Sequence, residues 1–210
     1  EVVYRWLAEQ VCGQVVLEAG SGEGYGAQIL QAAGATVIAV DYDEVAIRHS
    51  HATYRLPHVM ANLAALPVHH VDAVISLQVI EHLWDLRGFL REVRRIADWT
   101  CLSTPNRLTF SPGLGRGQKP TNPFHVEEFD AEQLHDLLRG AGFGQIHMFG
   151  VDHGPRLSQR PTLIAEQIHA ALTDNWPAEL EAFVARTAGD DFTISPADLE
   201  DSLDLVVVAR

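Results

Sequence analysis

Histidine and carboxylate side chains occur together at several places where they could remove a proton from a hydroxyl group. Glu81 and His82 are adjacent, His125 lies in the segment NPFHVEEF, and His153 lies in VDHGPRL. A neutral imidazole within reach of a hydroxyl is the usual general base near pH 7. The catalytic candidates are therefore His125, His153, His82 and Glu81. Carboxylates and imidazoles could instead bind Mg²⁺; we expect no metal site unless Glu81, His82 and Asp201 meet.

Each of these side chains also has a purely structural interpretation. The chain has eleven histidines in 210 residues, so most of them are expected at solvated positions. His82 could cap the following helix, and the segment around His153 could form a turn. Acidic residues such as Asp201, just before a strand, are typical of a solvated turn. Only their positions in the fold can decide between the two interpretations.

The elements that carry these residues follow a regular alternation through the first 150 residues. Val15-Val16-Leu17 and Val37-Ile38-Ala39-Val40 are continuous apolar runs, as expected for parallel strands buried on both faces. The pattern predicts strands at about 14–19, 36–41, 57–60, 71–77, 100–103 and 143–149. It predicts helices at about 1–11, 24–33, 43–54, 86–97 and 130–140. Such alternation is typical of a parallel sheet with helices on both faces.

The last third of the chain has a different pattern. Residues 161–186 carry two helical patterns separated at Pro177, and SLDLVVVAR, residues 202–210, reads as a strand with no helix after it. A terminal strand without its own crossover most simply pairs antiparallel. We therefore predict a single α/β domain over 1–210, Rossmann-like. Its seven-stranded sheet is mostly parallel with an antiparallel last strand, and residues 151–201 form a helical insertion before it.

The first strand leads into a glycine-rich loop that satisfies two cofactor patterns. Gly22, Gly24 and Ala27 form G-x-G-x-x-A, the dinucleotide-binding fingerprint. Glu18, Gly20, Gly22 and Gly24 form E-x-G-x-G-x-G, the loop that binds S-adenosylmethionine (SAM). Glycines allow the backbone to approach a ligand closely, which both cofactors require. The glycines alone do not distinguish the two.

Two neighbouring positions favour SAM. A pyrophosphate gains little from a carboxylate beside it, whereas the sulfonium and ammonium of SAM can be attracted by Glu18 through its hydrogen-bonding neighbours. Asp41 ends the second strand and can accept both ribose hydroxyls of either cofactor. Asn62, after the third strand, is placed to meet the adenine amino group. We include Tyr42, Leu63 and Gln78 among the expected cofactor contacts.

Over about residues 15–106 the chain resembles the class I SAM-dependent methyltransferases. Five of its segments occur in the order and at the spacing of that family: LEAGSGEGYGA, VIAVDYDEVAI, ANLAALPV, VDAVISLQVIEHL and CLSTPN. The third usually carries Asp where this chain has Asn62, whose amide oxygen can still accept from the adenine amino group. The resemblance implies methyl transfer from SAM.

A second resemblance spans about residues 2–209, including the insertion. The segments QVIEHLWD, STPNRLTFSPG, HGPRL, WPAEL and DSLDLVVVA are similar to mycobacterial methyltransferases of polymethylated polysaccharide biosynthesis, which serve methylmannose polysaccharides and methylglucose lipopolysaccharides. This resemblance implies a sugar hydroxyl as acceptor, with a histidine as base. It favours the 1-OH of a short mannoside, and a glucose or glucosylglycerate precursor is the alternative.

Two other functions fit the same motifs. Glu81-His82 also follows the fourth strand in ubiquinone-type O-methyltransferases, so the acceptor could be a phenol, a quinol or a natural-product hydroxyl, with Mg²⁺ assisting. A SAM-sensing module without turnover is the non-enzymatic alternative. Asn62 is the one motif position that departs from the family pattern, so a catalytically active chain is the stronger expectation.

Composition restricts the partners. The formal net charge is −13, and no basic run offsets it, so we expect no nucleic-acid partner. No apolar run approaches the roughly 20 residues of a membrane span, so we expect neither a membrane span nor a signal segment. Cys12 and Cys101 are far apart, which fits reduced thiols and a cytoplasmic protein. The oligomeric state is not determined by these patterns, and a homodimer is compatible with them.

Overall fold

The computed structural model describes residues 1–210 and shows strands alternating with helices. The strands are β1 (Val15–Ala19), β2 (Thr36–Asp41), β3 (His58–Met60), β4 (Val71–Leu77), β5 (Ala97–Pro105), β6 (Ile146–His153), β7 (Phe192–Ser195) and β8 (Asp204–Ala209). The helices are α1 (Val2–Val11), α2 (Tyr25–Ala32), α3 (Glu44–Tyr54), α4 (Leu86–Ile96), α5 (Arg107–Phe110), α6 (Ala131–Gly140), α7 (Leu163–Thr173) and α8 (Ala178–Val184).

All eight strands form one mixed sheet in the order β3-β2-β1-β4-β5-β8-β6-β7. Strands β1 to β5 are parallel, and β8 runs antiparallel to both β5 and β6, as predicted for the last strand. The predicted count of seven strands was wrong by one. Residues 192–195 lie in the segment predicted to be a helical insertion, but they pair antiparallel with the end of β6. This short edge strand has only four residues, which is too few for a clear periodic signal.

The site-bearing residues lie at the carboxyl edge of the sheet because parallel strands end on the same side. Strand order reverses between β1 and β4, where β2 and β3 lie to one side and β5 to the other. Open α/β sheets bind ligands outside the strand ends at such a switch point. The loop after β1 and the end of β2 meet there.

The sheet is buried on both faces, as its continuous apolar runs predict. Leu17, Val74 and Leu102 point into the core beneath α4 and α6, whereas Val16 and Ile75 pack in the core with α1 and α2. Helices α7 and α8 have a small apolar cluster of their own. No helix combines the length and the apolarity that crossing a bilayer requires.

Candidate active site

A cavity of about 1000 Å³ opens at the switch point of the sheet. Six of the nine residues expected to contact a cofactor line it: Gly20, Asp41, Tyr42, Asn62, Leu63 and Gln78. The structure therefore brings together residues from the ends of four strands, β1 to β4. The other three expected contacts do not line the cavity, although they are close in the chain to residues that do: Glu18, Gly22 and Gly24.

Two glycines of the loop are required by close packing. A Cβ atom at Gly20 would lie 2.5 Å from Cγ2 of Val79, and a Cβ atom at Gly24 would collide with the Ser50 hydroxyl. Both residues also have positive φ angles, +77° and +85°, which glycine adopts without strain. Gly22 has φ +50°, is half-buried and has open space where a side chain would stand, so the loop backbone is accessible at this point.

Asp41 connects the glycine loop to the end of β2. Its Oδ2 accepts the Gly22 N–H at 2.7 Å, and its Oδ1 accepts the N–H groups of Tyr42 at 2.7 Å and Asp43 at 2.9 Å. The carboxylate is only 7% exposed. Three of its roughly four acceptor positions are therefore used within the chain, and its remaining capacity faces the cavity that it lines.

Glu18 lies beneath the loop. Its Oε1 accepts the Tyr4 hydroxyl at 2.6 Å, its Oε2 has no partner, and a side chain at Gly26 would collide with it. Burial raises the pKa of Glu18 to about 8. The expected attraction for a cation hence requires that this carboxyl lose its proton when the cation binds.

Part of the cavity has the mixed lining that an aromatic base requires. Met60, Leu63 and Leu83 contribute apolar surface there. The Asn62 amide oxygen already accepts the Ala64 N–H at 2.9 Å, so only its second lone pair and its amide N–H groups are free for a ligand.

Three of the four catalytic candidates meet beside this cavity. Ligand atoms of Glu81, His82 and His125 lie within 4.8 Å of one another, and the two imidazole rings are 4.9 Å apart. His153 is not with them; it lines a different cavity and contacts Phe192. Of these four residues, only His82 lines the large cavity.

His82 is held in the tautomer that a base requires. Its Nδ1 lies 2.9 Å from the Phe124 carbonyl oxygen, which can only accept, so Nδ1 carries the proton. Nε2 makes no hydrogen bond and lies 3.9 Å from Glu81 Oε1. The side chain is 43% exposed. Its free lone pair can therefore take a proton from a group in the cavity.

His125 is held at both ring nitrogens. Its Nδ1 lies 2.6 Å from Glu128 Oε1, and its Nε2 lies 3.0 Å from Nδ2 of Asn122. Asn122 Oδ1 accepts the Phe124 N–H at 3.0 Å, which orients the amide nitrogen toward the ring. His125 also stacks on Phe110. In this arrangement His125 supports its neighbours and has no free proton acceptor.

The sequence places Glu128 shortly after His125, but neither Glu128 nor Asn122 was predicted to hold its ring. The spacing of Glu128, three residues after the histidine, could have suggested a contact across one turn. Asn122 had no such signal, because its role depends on a loop closing back on His125.

Glu81 is a buried carboxyl with one unsatisfied oxygen. It is 1% exposed, and its Oε2 has no partner. Burial raises the pKa of Glu81 to about 7, and the nearby His125 opposes that rise. The buried hydroxyl of Thr104 lies close to it.

The residues that could bind an ion differ from those expected. Asp201 is absent from the group of Glu81, His82 and His125. It lies near Asp152 instead, where burial, Asp198 and Asp201 together raise the pKa of Asp152. Two imidazoles and one carboxylate suit a transition-metal ion better than Mg²⁺, which prefers oxygen ligands.

Comparison with known proteins agrees with this geometry. Residues 17–98 match the model of a methyltransferase domain. The chain is 45% identical to a Mycobacterium tuberculosis protein named "Probable S-adenosylmethionine-dependent methyltransferase", with 100% of this chain and 81% of the relative covered. A similarly named Mycolicibacterium smegmatis protein is 43% identical, with 100% and 86% covered. A crystal structure of a SAM-dependent methyltransferase from Thermotoga maritima aligns with a TM-score of 0.67 at 16% identity, covering 99% of this chain and 88% of that one.

Proposed function

Because the chain belongs to the class I SAM-dependent methyltransferases, we propose that it methylates a sugar hydroxyl and that His82 is the general base. SAM supplies an electrophilic methyl group when it is bound. In the proposed complex, the backbone around Gly22 and the carboxylate of Asp41 hold the cofactor, and Leu63 contacts its base. His82 then accepts the proton of the attacking hydroxyl.

The unpaired Nε2 of His82 is the observation that carries this proposal. Methyl transfer is an in-line displacement, so the enzyme must align the acceptor and remove its proton. Among the four predicted catalytic residues, His82 alone combines a fixed tautomer, a free lone pair and a place on the cavity wall. Glu81, 3.9 Å away, can stabilise the imidazolium that forms.

The acceptor class is proposed from the extended resemblance. That resemblance covers about residues 2–209, and relatives that match the whole of this chain occur in Mycobacterium tuberculosis and Mycolicibacterium smegmatis. We propose the 1-OH of a short mannoside precursor of polymethylated polysaccharide as acceptor, and a glucose or glucosylglycerate precursor is the alternative. A hemiacetal 1-OH is more acidic than an ordinary alcohol, so an imidazole is a sufficient base for it.

An acceptor panel tests the proposal. The protein would be incubated with methyl-labelled SAM and mannose, short mannosides, glucose or glucosylglycerate, and the methylated position would be identified by mass spectrometry and NMR. We expect labelled product from a mannoside with a free 1-OH and none when that hydroxyl is blocked. Equal labelling of the blocked sugar would reject the 1-OH, and absence of labelled sugar throughout would reject the glycan acceptor.

A small phenol or quinol is the second candidate acceptor. The group of Glu81, His82 and His125 favours it, since an ion bound there would acidify a hydroxyl. His82 Nε2 could not then serve as the base. Loss of turnover in EDTA, restored by Mn²⁺ or Mg²⁺, would favour this candidate, whereas turnover unaffected by EDTA would favour the histidine base.

A further inference from the structure

A second cavity, of about 390 Å³, lies beyond the histidine pair at the same edge of the sheet. Phe110 lines it and also stacks on His125 at 5.4 Å. Its floor comes from the ends of β6 and β8 through His153 and Asp204, and one wall comes from α7. Ring contacts from Phe110 to His125 and from His125 to His82 therefore connect this cavity to the candidate active site.

Helix α7 contributes three apolar residues and Gln167 to the lining of this cavity, and the sheet contributes the titratable side chains of His153 and Asp204. Ile164 and Ile168 stand one helical turn apart on α7, and both are only half-buried. At the opposite end, burial lowers the pKa of His153 and raises that of Asp204 to about 6. Unsubstituted sugar rings would leave hydroxyl groups unpaired against the isoleucines, at a free-energy cost.

Helices α7 and α8 cover the cavity without belonging to the main core. Leu157, Leu163, Ala170 and Leu180 form a separate small cluster that holds the two helices together. The space beneath α7 is hence a gap between two packed units, and apolar side chains remain half-exposed in it. A ligand with hydrocarbon at one end and polar groups at the other would be complementary to the two ends of this cavity.

We propose that this second cavity holds a hydrocarbon substituent of the acceptor, so that the sugar methylated at His82 is part of an amphipathic molecule. This inference rests on the proposed function, since it assigns the acceptor a second contact region. The sugar ring would lie near His82 and the polar end of the cavity, and the hydrocarbon would contact Ile164 and Ile168.

Calorimetry with two matched sugars tests the inference. Mannose and 6-O-hexyl mannose both retain a free 1-OH, and each would be titrated into protein saturated with S-adenosylhomocysteine. We expect the hexyl ether to bind at least 10-fold more tightly. Ile168→Gln and Ile164→Gln should each remove that advantage. Leu172→Gln is the control, because Leu172 lies on the same helix, is 52% exposed and does not line the cavity.

Turnover separates this inference from the proposed function. Equal kcat/KM for mannose and its hexyl ether, or an advantage that survives both isoleucine variants, would overturn the inference while the proposed function stands. Tight binding of the hexyl ether with no methylation of either sugar would support the cavity assignment and overturn the proposed sugar acceptor.

Discussion

His125 Nδ1 lies 2.6 Å from Glu128 Oε1, and the two side chains are only 5% and 1% exposed. The Nδ1–H group donates to the carboxylate, and the side-chain amide of Asn122 donates to Nε2. The ring is thereby fixed against Phe110 and perpendicular to His82. We interpret this pair as the rigid support against which His82 is positioned.

Removal of Glu128 should destabilise the protein. Glu128→Ala leaves a buried ring N–H without a partner, which costs about 1–3 kcal/mol of unfolding free energy. Glu128→Gln keeps an acceptor oxygen and should cost less. Urea unfolding measures both, and Glu127→Ala is the control because its side chain is exposed. Unfolding of Glu128→Ala at the wild-type midpoint would contradict the structural role.

Removal of the proposed base, His82, should affect turnover and not cofactor binding. We expect His82→Ala to lower kcat by roughly 100-fold or more, the usual contribution of a general base. Its affinity for S-adenosylhomocysteine should stay near the wild-type value. His69→Ala is the control, since His69 is exposed and lines neither cavity. A different result would identify His125 as the base: His125→Ala would lower kcat by roughly 100-fold or more, and His82→Ala would leave kcat unchanged.

Asp41→Asn should weaken binding of S-adenosylhomocysteine by roughly 10- to 100-fold. An amide has only one acceptor oxygen, so its NH₂ group would face either the Gly22 N–H or the N–H groups of Tyr42 and Asp43. The substitution also removes a charged acceptor from the cavity. Asp43→Asn is the matched control, because asparagine can still cap α3. Unchanged affinity, measured by calorimetry, would exclude Asp41 as a cofactor contact.

Binding of SAM should release a proton at Glu18. The pKa of Glu18 is about 8 in the empty site, so this carboxyl is mostly protonated at pH 7, and a nearby cation favours its charged form. Calorimetric enthalpies at pH 7 should therefore differ between phosphate and Tris buffers. Glu18→Gln should remove the difference. Identical enthalpies for the wild type in both buffers would contradict the assignment.

The ligand-free protein should lose stability between pH 6 and pH 8. Burial raises the pKa values of Glu18 and Glu81 to about 8 and about 7, well above the ordinary value of 4.5. The folded state then binds more protons than the unfolded state in this range. The free energy of unfolding falls as pH rises, by at most about 1.4 kcal/mol per pH unit for each group.

Thermal unfolding across this pH range measures the effect. The double variant Glu18→Gln, Glu81→Gln should show a flatter profile than the wild type. A wild-type midpoint that rises from pH 6 to pH 8 would contradict the burial of these carboxyls.

Six residues that line the large cavity were predictable because local patterns determine where strands end. The apolar runs before Gly20 and Asp41 identify β1 and β2, and parallel strands bring those ends to one edge. Five of the six lining residues predicted lie within two positions of a strand end. Glu18 was expected to act on the cofactor, and its burial beneath Tyr4 was not predictable from spacing.

Sequence alone determined the fold class, the methyl donor and the list of titratable candidates, because periodicity and short motifs depend on neighbouring residues. The tertiary structure alone decided which candidates meet. The Phe124 carbonyl that sets the His82 tautomer is 42 residues away in the chain, and His153 lines a different cavity from His82. Such contacts depend on how loops close over the sheet, and no local pattern encodes that path.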